Sequence, residues 1–149
     1  MNTMNTRYLK WFSIVVWLGV PLNLYFAVPA LFFPSYVVDT LDLQAGFFTV
    51  WLRNAGLLIF IITAYQILAA VSPSRYRAVA WMTIGGRLAA AIYWLVVSLD
   101  WLGTSNNPQG FLPFLIGDVL FGGVSGVLLY LGLRAEAAAR QHRPASAAA

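Results

Sequence analysis

The chain reads as an all-α, polytopic membrane protein: a four-transmembrane-helix bundle with a short interfacial helix after the first span. Three observations predict this. Only 9% of its 149 residues are charged, whereas soluble domains carry about a quarter. Four apolar windows, 11–33, 47–71, 78–99 and 111–133, reach or exceed the roughly 20 helical residues that a hydrocarbon core requires. The basic residues alternate with these windows. Arg7, Lys10, Arg75, Arg77, Arg134, Arg140 and Arg143 flank the spans on one side, while the connections 34–46 and 100–110 hold no Lys or Arg. The positive-inside rule then puts both termini and the middle connection in the cytoplasm of a cell whose inner membrane holds the chain. The net charge of +4 is explained by this pattern and needs no nucleic acid.

The first span contains Pro21 and Pro29 with Asn23 between them. Each proline removes a backbone donor and can kink a helix. The span is too long for a signal-peptide core and lacks a clean small-residue cleavage site. The following stretch, "FFPSYVVDTLDLQAG", sets Tyr36, Val37, Val38, Leu41 and Leu43 against Asp39 and Asp42. That pattern predicts a short helix lying at the outer interface. The second span opens with "WLRNAG". The link "SPSRYR" leads to the third, with Ser74 as the expected cap. Turn formers in "GTSNNPQG" separate the third span from the fourth. Residues 1–134 thus form one transmembrane domain. The Ala-rich tail 135–149 extends the last helix briefly and then frays. Trp and Tyr near the span ends form the expected aromatic belt, and Gly122-x-x-x-Gly126 and Gly86-x-x-x-Ala90 permit close helix contact.

Arg53, Arg87 and Asp118 fall inside predicted spans, where an ionised side chain costs at least about 2.5 kcal/mol unless it faces the bundle interior and pairs. At 1.5 Å per residue, Asp118 and Arg53 lie at nearly equal depth, roughly 10 Å inside their helices. Arg87 lies deeper and can reach outward, because a guanidinium is long and rich in donors. Asp118 shares a face with the small residues Gly122 and Ser125. The expected polar centre comprises Arg53, Asn54, Arg87 and Asp118, with Asn23 and Tyr93 contributing. It registers the helices, binds a ligand or, as the least favoured reading, serves a membrane enzyme with Asp118 as acid or base. Two positive charges against one negative favour an anionic or electron-rich ligand: a lipid headgroup, a carboxylate or a quinone carbonyl.

No catalytic residue is assigned. The absence of cysteine excludes thiolate catalysis and disulfides. The lone histidine, His142, sits in the tail, so no metal site is expected. Asp39 and Asp42 read as a solvated face, and Tyr65-Gln66 as interhelical hydrogen bonding or a cavity wall.

The stretches "LFFPSYVVDTLDL", "WLRNAGLLIFIITAYQILAAVSPSRYRAVAWMTIGGRL" and "GDVLF" resemble patterns in the DoxX-like superfamily of small bacterial four-helix membrane proteins. The resemblance covers most of residues 7–134. It implies a four-helix fold and, for some relatives, a role as a subunit of quinone-linked oxidoreductases. The family's second-helix Arg/Asn-Gly, third-helix Arg or Lys and fourth-helix Asp fall on Arg53, Asn54, Gly56, Arg87 and Asp118. The missing cysteines speak against a thiol-redox role. The function expected is that of a non-catalytic accessory subunit of an inner-membrane complex, with the bilayer and a membrane protein or a second copy as partners. No bound cofactor is expected other than a quinone. The alternative is a membrane protein or carrier that binds lipid, quinone or a small anion at the polar centre.

Overall fold

The computed structural model describes residues 3–43, 49–103 and 106–141. Over these residues the chain is helical, with no strand, in the order α1 (Thr3–Phe32), α2 (Pro34–Thr40), α3 (Thr49–Val71), α4 (Arg77–Ser98), a 3-10 turn (Pro108–Phe111) and α5 (Leu112–Gln141). Four of the helices are long and apolar enough to cross a membrane, and the chain is a multi-pass α-helical membrane protein. The short α2 follows the first span, with Val37 buried and Asp39 exposed, as is Asp42 just beyond it, although Tyr36 of the apolar set is exposed as well.

Both prolines of the first span sit inside α1, which runs on through them. Membrane helices tolerate this where neighbours satisfy the freed carbonyls. Ser74 does not cap α4. The N-cap is Tyr76, without a side-chain bond, and the Ser74 carbonyl instead accepts from Arg77 Nε at 3.0 Å. The tail extends the last helix by about two turns, α5 continuing to Gln141, with Glu136 joined to both Arg77 and Arg140. Residues 142–149, including His142 and Arg143, lie outside the described part of the chain.

The four long helices form a ring in which α1 packs on α3 and α5, and α4 packs on α5 and α3. Of these four seams α1–α3 is the closest and α3–α4 the loosest. In lipid the hydrophobic effect does not drive helices together, so seams depend on close packing. Gly56 makes the α1–α3 seam possible: a Cβ there would stand 2.9 Å from the Ala27 carbonyl oxygen and from the Leu31 nitrogen. Near the end where the chain starts, Phe12, Val16, Ala69, Ala80, Ile84 and Leu129 form one apolar cluster. Towards α2, Ala30, Val37 and Leu52 form a second. Along α3, the buried polar residues Thr63 and Gln66 fall between the two.

Candidate functional site: a buried ion pair beside two cavities

Asn23, about two-thirds of the way along α1, stands one to two turns from Val16 and Val20 on one side and from Ala27 and Ala30 on the other, all buried. Its amide nitrogen donates to Thr63 Oγ1 at 3.1 Å and to Gln66 Oε1 at 3.0 Å, both on α3. Thr63 and Gln66 are almost fully buried, one turn apart on the α3 face that meets α1. Thr63 is further satisfied by donating to the Ile59 carbonyl of its own helix at 2.7 Å. A buried amide or hydroxyl without a partner costs about 1–3 kcal/mol, which is why these polar side chains are found together.

Arg87 reaches into the same group from α4, across the diagonal of the ring. Its Nη2 donates to Asn23 Oδ1 at 3.2 Å and weakly to Gln66 Oε1 at 3.5 Å. Nη1 pairs with Asp118 Oδ1 of α5 at 2.9 Å. Gly19 of α1 makes room for this: a Cβ built on it would stand 2.5 Å from Arg87 Nη2. On α5, Gly122 gives room for the stem, since its Cβ would meet Arg87 Cβ at 3.3 Å. The guanidinium also lies 5.4 Å from the Phe121 ring centroid, within cation–π range. The second carboxylate oxygen, Asp118 Oδ2, accepts from Trp94 Nε1 at 3.1 Å. Side-chain exposure is 11% for Arg87 and 17% for Asp118, so the pair is shielded from bulk solvent and from its salt.

Arg87, Asp118 and Asn23 are therefore brought together as expected. Arg53 and Asn54 are not. Both are exposed on the outer surface of α3, and the face that looks inward carries Leu52, Gly56, Thr63 and Gln66 instead. Equal depth along two helices does not imply the same direction around them. Tyr93 is likewise half exposed and holds no bond to the pair. With Arg53 outside, the centre contains one positive and one negative charge, and the excess positive charge that favoured an anion is absent from it. Residue reading missed Thr63 and Trp94 as members. Gln66, read from the sequence as an interhelical hydrogen-bonding residue or a cavity wall, is both.

Two cavities adjoin the centre. One, of about 290 Å³, is walled by all four spanning helices and has Asn23, Gln66, Arg87 and Asp118 on its surface among apolar and aromatic side chains. The other, of about 340 Å³, lies towards α2 and is almost wholly apolar. Leu41, Leu43, Trp51, Ala55 and Val97 are on its wall. Phe26, Ile59 and Trp94 belong to both. Trp94 stacks on Phe111 with centroids 5.5 Å apart and planes 13° from parallel, while its N–H is held by Asp118. Among the described residues, no three potential metal ligands converge.

The fold and this centre define a class: a four-span helical membrane protein whose interior is crossed by a neutral, hydrogen-bonded Arg–Asp pair. The chain matches no protein-family model, no curated protein and no solved structure.

Proposed function

We propose that this is a small, non-catalytic inner-membrane protein that holds an uncharged, lipid-soluble molecule against the Arg87–Asp118 centre. The supporting observation is the cavity of about 290 Å³ with the ion pair on its wall. Sites for small molecules are concave and mostly apolar, with a few converging polar groups, and this cavity has that character. The balanced charge favours a neutral ligand over an anion. A quinone carbonyl and a lipid ester are both suited to the guanidinium. The resemblance to the DoxX-like superfamily supports the further reading that the chain serves as an accessory subunit of a membrane redox complex.

Native mass spectrometry of the protein extracted gently from its own membrane tests the proposal. The expected result is a retained lipid or quinone that is lost in Arg87→Gln while the protein stays folded. A protein partner retained equally by both forms, with no small molecule, would leave the accessory-subunit reading and remove the ligand.

A further inference from the structure

The cavity at the ion pair and the apolar cavity share three walls, Phe26, Ile59 and Trp94. One is polar at a single spot, and the other offers little but aliphatic and aromatic surface. Singly each is near the lower bound of small-molecule sites, roughly 300–1,000 Å³; joined, they fall well inside that range. Trp94 stands between them with its indole N–H bonded to Asp118 and its ring stacked on Phe111. The partition is thus tied to the ion pair.

The polar end retains unused hydrogen-bonding capacity of both kinds. A guanidinium has five N–H donors and each carboxylate oxygen has two lone pairs. Arg87 Nη1 and Nη2 are engaged, but Nε donates to no described residue. Among the described residues each Asp118 oxygen accepts a single bond, one from Arg87 and one from Trp94. A head that both accepts from Arg87 and donates to Asp118 fits this spot, and a head carrying net charge would unbalance the pair.

We infer that the two cavities are the head and tail compartments of one site, for a neutral amphiphile that carries a hydroxyl and a carbonyl on a hydrocarbon chain. The head bonds at Arg87 and Asp118, and the chain turns past Trp94 into the cavity beneath Leu41 and Leu43 rather than running out into the bilayer. This rests on the lipid-soluble-ligand reading above and adds the ligand class and the course of its tail. Because lipid tails are as apolar as the cavity wall, the chain gains little from burial itself. Selectivity comes from the head bonds and from the fit of the chain beside Trp94.

The test uses the full chain in nanodiscs with a monoacylglycerol bearing a diazirine at the end of its chain. Labelling competed by excess unlabelled monoacylglycerol is mapped by peptide sequencing. Capture of short-chain monobutyrin is followed in parallel by native mass spectrometry. Competable label is expected on Leu52, Ala55 and Val97. Gln66→Leu, which removes the polar group beside Arg87, is expected to weaken both readouts about tenfold. Ala55→Phe, which fills the apolar cavity, is expected to abolish that labelling and leave monobutyrin bound. Label confined to the outer face of α5, or unchanged in Ala55→Phe, overturns the two-compartment site while the head site stands. If neither probe shows saturable binding to the parent protein, the head site falls as well. The mapping on the parent chain decides the matter even where a variant fails to fold.

Discussion

Among the described residues Asp118 accepts a bond on each oxygen from helix α4 alone, and Arg87 contacts three other helices in return. Removing the acid therefore strands a buried cation. Losing one partner of such a pair typically costs about 3–5 kcal/mol, and Asp118→Asn is expected to lose stability of that order in a denaturation series in mild detergent. Arg53 stands only four residues into α3, from where a long side chain snorkels to the interface, so Arg53→Gln is expected to cost less than Asp118→Asn in the same series. The two arginines look alike in sequence, each inside an apolar span next to small or polar residues. Only packing separates them. Position along a helix follows from counting residues, so the depth of Asp118 was legible. The direction in which Arg53 points was not, because α3 is apolar on nearly every face and offers no polar stripe from which to read an inside.

At the scale of helices, small residues carry the architecture. Gly56 lies against the backbone of α1, and backbone cannot swing aside. Gly56→Ala is expected to cost about 1–3 kcal/mol by overpacking the α1–α3 seam. Gly85 has open space where its Cβ would be, so Gly85→Ala should be neutral or stabilising by up to about 1 kcal/mol through helix propensity. Thermal unfolding of the pair of variants in one detergent checks both. The spans themselves were readable from hydropathy, since continuous apolar runs of that length have few other destinations. Their ends were less so. Ser74 looks like a cap by residue type, but α4 begins three residues later, and α5 runs past the apolar window because Ala, Glu and Arg are good helix formers. The inward face of α5 was legible, as Gly122 and Ser125 are both buried.

For the molecule as a whole, four spans leave Thr3 and Gln141 on the same side of the bilayer, and the expectation from the basic residues is that this side is the cytoplasm. The chain has no cysteine, so single cysteines can be placed freely. A cysteine at Ser74 is expected to resist a membrane-impermeant maleimide applied to intact cells, and one at Gln109 to react. The reverse pattern would invert the proposed orientation. The ring of helices, by contrast, could not be ordered from sequence. Short connections permit several neighbours, and the closeness of α1 to α3 rests on Gly56 meeting backbone some 25 residues away along the chain.

The diagonal reach of Arg87 also bears on how the protein is made. Synthesis delivers α1, α3 and α4 to the membrane before Asp118 on α5 has left the ribosome. Until then Arg87 has only the amide oxygens of Asn23 and Gln66 to meet, and no counter-charge. Helix α5 is thus what neutralises α4. A nascent chain that stops short of α5 carries that cation without its counter-charge.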